Sequence, residues 1–140
     1  MSDEITYEIG VRIHSETLEK NVKRILGDKL KEAISDDVKK YAATRYARKV
    51  EHYVPMSEDG GTLRRSTRLV HIHGTWGVEY DPVDKYGRHY GEAQYKGPSW
   101  WNRYTEDTYS HWNSHLTRAE REEYYREVAD EILKRANKHG

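Results

Sequence analysis

Cysteine is absent from the 140 residues. That excludes a disulfide framework and any thiolate metal site. Phenylalanine is absent too, and proline occurs only three times. Neither sign of charge is in excess, since 24 Lys and Arg balance 24 Asp and Glu. A strong global attraction to nucleic acid or to an anionic membrane is therefore not expected. No apolar run approaches the roughly 20 residues of a membrane span. The opening Met1-Ser2-Asp3-Glu4 is acidic and carries no signal-peptide core. These absences predict a soluble chain, made in a cytoplasm, without a membrane partner.

What is present is mostly polar. Charged residues make up 34% and hydrophobic ones 35%, so the core must be thin. Twelve Tyr and four Trp supply large amphipathic surfaces that a disordered chain would lack. Each of these rings has a polar tip that needs a partner or water. Such a composition fits an interface protein. It fits equally a small domain that uses Tyr where others use Phe. The length suits one domain spanning 1–140.

Ile5, Tyr7, Ile9, Val11 and Ile13 alternate with polar residues, which predicts one strand with one face buried. Glu16 to His52 has helical spacing, with Leu18, Val22, Leu26, Val38, Ala42, Tyr46 and Val50 among its apolar stripe. One long helix is expected. Breaks at Gly27-Asp28 or Ser35-Asp36-Asp37 are the alternatives, because both hold cap-like residues. Leu63 to Tyr80 reads as a hairpin turning at Gly74-Thr75, pairing His73 with Trp76, His71 with Val78 and Leu69 with Tyr80. Val83 to Gly97 has room for one short helix. Pro98 to Leu116 is an aromatic, polar connection, and a loop of that length is uncommon unless functional or packed by a partner. Thr117-Arg118-Ala119-Glu120 is a capping box opening a last helix. Tyr125, Val128, Ala129, Ile132, Leu133 and Ala136 form its apolar stripe. The fold class is therefore α+β. A small antiparallel sheet, made of the N-terminal strand plus the hairpin, is packed by a long N-terminal helix and a C-terminal helix. The edges of so small a sheet invite pairing with another subunit.

Candidates for chemistry are few. His71 and His73 share a strand face, as a chelating pair would, with Glu79, Asp81 or His89 as further donors. The predicted hairpin sets both on an apolar face, so packing is the stronger reading. His111 and His115 stand in a segment without a convincing helical pattern. No Gly-rich phosphate loop and no nucleophile elbow occurs. No catalytic residues, metal site, cofactor or enzyme activity is expected. Basic residues do cluster: Lys39, Lys40, Arg45, Arg48 and Lys49 fall together without an acid, and Arg64, Arg65 and Arg68 follow later. They form one positive patch if helix end and strand start lie side by side. That patch would meet phosphates or an acidic neighbour. Charge runs more often only solvate a helix face. Trp100, Trp101 and Trp112 could stack on sugars or bases, cover the thin core, or make subunit contacts.

Three blocks occur in a telling order. Tyr53-Val54-Pro55 ends the helix, since Pro55 cannot continue it. Asp59-Gly60-Gly61 supplies the left-handed positions of a reversal, and Thr62-Leu63-Arg64-Arg65-Ser66 leads into a strand. The second block is Tyr90-Gly91-Glu92-Ala93-Gln94-Tyr95-Lys96-Gly97. The third is the Trp-bearing segment near Trp100-Trp101 or Trp112, followed by a helix. In this order the chain resembles the small minor capsid and neck (head–tail joining, tail-completion) proteins of tailed bacteriophages. Gly60 stands where Thr is more usual in that family, Ser57-Glu58 looks inserted, and Gly91 replaces the usual Ala.

The resemblance implies a structural virion protein, assembled in the host cytoplasm as a subunit of a homo-oligomeric ring. Its neighbours would be neck, portal/adaptor or tail proteins. DNA passing through the lumen would make non-specific contact with the positive patch. Pro55, Asp59, Gly61, Leu63, Arg64 and Ser66 would form the turn. Tyr90, Gln94, Trp100, Trp101 and Trp112 would make interface contacts. The alternative is an aromatic-rich binding module for carbohydrate or nucleic acid.

Overall fold

The computed structural model describes residues 3–7, 10–15, 17–27, 34–54, 62–72, 74–97 and 111–139. Four strands form one antiparallel sheet: β1 (Asp3–Tyr7), β2 (Val11–Ser15), β3 (Thr67–Ile72) and β4 (Thr75–Tyr80), in the order β1-β2-β4-β3. Helices α1 (Leu18–Leu26) and α2 (Asp36–Glu51) lie between β2 and the hairpin. A short turn α3 (Thr62–Arg65) precedes β3, and α4 (Gly91–Lys96) and α5 (Arg118–His139) follow β4. The architecture is α+β, as the sequence predicts.

The single N-terminal strand is corrected to a hairpin. Ile5 pairs with Ile13 and Tyr7 with Val11. Partners across an antiparallel pair share a face, so the alternation runs on unbroken through the reversal. Gly10 marks it. A Cβ there would stand 2.7 Å from the Tyr80 carbonyl oxygen and 2.8 Å from Asp81 Cβ. Only glycine allows that approach of the two backbones.

The single long helix is corrected to two. α1 stops at Gly27, whose φ of 59° favours glycine. α2 starts at Ser35, whose hydroxyl accepts from the Val38 N–H at 3.3 Å. Asp36 and Asp37 then sit in its first turn, where the helix dipole favours anions.

The strand expected from Leu63 begins instead at Thr67. Residues 62–65 are helical because two hydroxyls hold them so. Ser66 Oγ donates to the Leu63 carbonyl and Thr67 Oγ1 to the Arg64 carbonyl, both at 2.6 Å. The β3–β4 register is also two residues from the expected one: His71 faces Trp76, Leu69 faces Val78 and Thr67 faces Tyr80. A slip of two leaves every side chain on its expected face.

One sheet face is apolar. Val11, Ile13, Val78 and Tyr80 are fully buried there among the core that includes Ala42, Tyr46 and Val50 of α2. α5 packs on α1 and α2 and adds Tyr124, Tyr125, Val128 and Ala129. Of its expected stripe, Ile132 and Leu133 are partly buried and Ala136 is exposed. The capping box is formed. Thr117 Oγ1 accepts from the Glu120 N–H, and the Glu120 carboxylate accepts from the Thr117 N–H, both at 3.0 Å.

The other sheet face carries a polar row. Thr6, Arg12, Glu79 and Arg68 are successive partners across the four strands. Glu79 is only 1% exposed. Arg12 Nε donates to it at 2.6 Å from one side and Arg68 Nε at 2.6 Å from the other. Two guanidiniums offset the cost of hiding one carboxylate.

Candidate interaction surface

α2 runs beside the outer strand β3, and their junction is an open groove of about 270 Å³. Ala47 and Leu69 line it with apolar surface, and Arg48, Arg64 and Arg68 bring positive charge. Helical spacing puts Ala47, Arg48 and Glu51 at this junction, while the α3 turn delivers Arg64. Arg64 has a defined structural task. Its Nε donates to the Val54 carbonyl at 2.8 Å and its NH2 to the His52 carbonyl at 3.3 Å. His52 is the C-cap of α2 and Val54 follows just past it, so Arg64 holds the chain where it leaves the helix. Arg68 is tied to Glu79 yet 63% exposed. Arg48 is exposed and has no ion pair or hydrogen bond among the described residues.

The expected basic patch is therefore smaller than the run of residues. Arg45 and Lys49 leave it. Arg45 Nε donates to Glu127 at 3.1 Å, and Lys49 Nζ reaches Glu123 at 2.7 Å and Glu127 at 3.2 Å. Both turn toward α5 because they lie round the helix from Arg48. The hydrogen bond and charge of Glu127 raise the Arg45 guanidinium above its ordinary value. Burial pushes Lys49 down, but its carboxylate partners outweigh this and raise it overall. Lys40 sits near the opposite end of α2, its Nζ 5.2 Å over the Trp76 ring. Lys39 lines a cleft beside Trp76. Arg65 is exposed beside Arg64.

Of the turn motif, Leu63 is buried, Arg64 caps α2, and Ser66 also accepts from the Asp81 N–H at 3.1 Å. Pro55, Asp59 and Gly61 lie outside the described residues. The second block folds as α4 with Tyr90 as its N-cap residue. Tyr90 and Gln94 are half-buried and Tyr95 is buried. Gly91 leaves no room for a side chain: a Cβ there would stand 2.8 Å from the Tyr80 carbonyl oxygen and 3.1 Å from Pro82 Cδ. Trp100 and Trp101 lie outside the described residues. Trp112 is corrected from interface candidate to core. It is 0% exposed, with its ring centroid 5.1 Å from Tyr80 and 4.8 Å from Tyr95. A thin core recruits the nearest large ring.

His71 packs edge-on against Trp76 at 5.0 Å and has Asp36 at 3.6 Å. His73 lies outside the described residues, among which no group of three metal-ligating side chains occurs. Nor is any described helix long and apolar enough to cross a membrane.

Two features escape a reading of the sequence. The first is a buried polar knot on Asp3, whose side chain is 1% exposed. Its carboxylate accepts from Tyr46 OH at 2.6 Å, Asn113 Nδ2 at 2.8 Å and Arg121 NH2 at 3.2 Å. Tyr95 OH donates to Asn113 Oδ1. Burial, then the nearby Asp3 charge, raises both Tyr46 and Tyr124 above the usual phenol range. No local pattern joins residue 3 to residues 113 and 121. The second is the tip at 84–88. Asp84 accepts from the Tyr86 and Arg88 N–H groups at 2.8 and 3.0 Å, and Gly87 takes a φ of 78°. Tyr86 is 70% exposed, with Lys85 at 5.2 Å and Arg88 at 5.1 Å from its ring. The Asp84-to-Gly87 turn spacing was the available signal.

No family model, curated protein or solved structure matches the chain.

Proposed function

We propose that the protein is a structural subunit of the head–tail connector of a tailed bacteriophage, acting in a homo-oligomeric ring beside neck, portal/adaptor or tail proteins. One observation carries the reading. Arg64, from the motif that resembles this family, closes the end of α2 and lines one groove with Arg48 and Arg68 at the sheet edge. The motif thereby builds a cationic joint of the kind that meets an acidic neighbour or the DNA in a lumen. The exposed Tyr86, flanked by Lys85 and Arg88, is a second contact point of interface composition. The aromatic binding module is the weaker alternative, because Trp112 serves the core.

The test is quantitative mass spectrometry of purified virions from the host that carries this reading frame. The expected result is the chain at a fixed copy number per particle. Its absence from intact, infectious particles would sink the reading.

A further inference from the structure

We propose that β1 of one copy pairs antiparallel with β3 of the next, so that the sheets of neighbouring subunits run on into one another. This rests on the ring reading above and names its joint.

β1 and β3 are the outer strands, and among the described residues neither has a strand on its far side. Every neighbouring pair is antiparallel, so β1 and β3 run in opposite senses. A copy rotated about an axis along the strands therefore offers its β1 to β3 in the antiparallel sense. The contact joins two different surfaces and repeats head to tail, which is the geometry that closes rings. Neither DEITY nor TRLVHI holds a Lys or Pro, residues that commonly guard a bare edge.

Both faces also match. Inside one chain, Ile5, Ile13, Val78 and Leu69 are successive partners on the helix-covered face. Ile5 and Leu69, at the two ends of that row, are only partly buried. Extending the row sets the next copy's Ile5 against Leu69 and completes the burial of both. The same register sets the next copy's Thr6 beside Arg68 and its Glu4 opposite Val70. Glu4 then lies diagonal to Arg68 on the face away from the helices. A carboxylate thus meets a guanidinium that is already 63% exposed.

A disulfide reads this contact directly, because the native chain has no cysteine to compete. In one chain, positions 4 and 70 are three strand spacings apart, about 14 Å. That exceeds the roughly 4 Å Cβ separation of a disulfide, so a cross-link must join two copies. The double variant Glu4→Cys, Val70→Cys replaces the chain during virion assembly, and the particles are oxidised and run on a non-reducing gel. The expected result is a ladder of multimers, absent from either single variant. Chain present in particles but migrating only as monomer would overturn the pairing and leave the connector reading standing. Chain absent from wild-type particles removes the connector reading. Oxidation of the purified double variant at millimolar concentration then decides the pairing alone, a ladder keeping it and a monomer removing it. Should circular dichroism show the double variant unfolded, Thr6→Cys, Val70→Cys with a short bismaleimide spans the diagonal of about 7–8 Å.

Discussion

Asp3 joins the first strand to the last helix through side chains alone. It answers Tyr46, Asn113 and Arg121 at once, with its carboxylate out of water. Removing its charge strands the Arg121 guanidinium in a half-buried site. Asp3→Asn is expected to lower stability by about 2–4 kcal/mol, read by urea denaturation. A change under about 0.5 kcal/mol would mean the knot is not holding the ends together. Gly91 offers a second test at this scale. Its missing Cβ lets α4 approach the Tyr80 carbonyl, and the Pro82 ring closes the site on another side. Gly91→Ala should cost about 1–3 kcal/mol despite alanine's better helix propensity. A stabilised variant would show that the backbone there yields easily.

The contact between α2 and α5 is a ladder of opposite charges over a tyrosine layer. The Tyr46 and Tyr124 rings meet at 5.6 Å, tilted by 58°, and Arg45 and Lys49 reach across to Glu123 and Glu127. Burial alone would push the Glu127 carboxyl up. Hydrogen bonds from Arg45 and Lys49 outweigh it and hold the group below the usual value. A depressed folded-state pKa contributes stability that is complete above the unfolded value of about 4.3. It is lost as pH falls through the folded value. Glu127→Gln should therefore be less stable than the wild type at pH 7, and the gap should narrow between about pH 5 and pH 3. Chemical denaturation at several pH values measures it. A gap that stays constant across that window would remove the ion pairs as its cause.

At the scale of the whole molecule, charge is sorted rather than merely balanced. The zero net charge hides a surface where Arg45 and Lys49 are spent on α5, while Arg48 stays open beside Arg64 and Arg68. Arg48→Glu touches no ion pair among the described residues, so stability should change by less than about 0.5 kcal/mol. On the proposed connector reading, incorporation of the chain into virions should fall, as counted by mass spectrometry against the major virion proteins. Unchanged incorporation with unchanged stability would free the groove from any part in assembly.

Features that depend on neighbours along the chain were readable before any fold was known. Alternation and helical spacing are local, so the α+β class, the face of each strand and the capping box at Thr117 were legible. The cap at Ser35 and the glycine at Gly27 were legible as breaks, although the apolar stripe running through them argued for one helix. Alternation could not tell one strand from a hairpin, because Ile5 and Ile13 share a face in either arrangement. The blocks around Arg64 and Tyr90 could be seen but not what they do. The rest emerged on folding, because burial and electrostatics depend on distance in space rather than along the chain. Side chains as far apart as Asp3 and Arg121 share one buried site. Trp112 became core when Tyr80 and Tyr95 closed round it, and a three-dimensional register placed Arg12 and Arg68 on either side of Glu79.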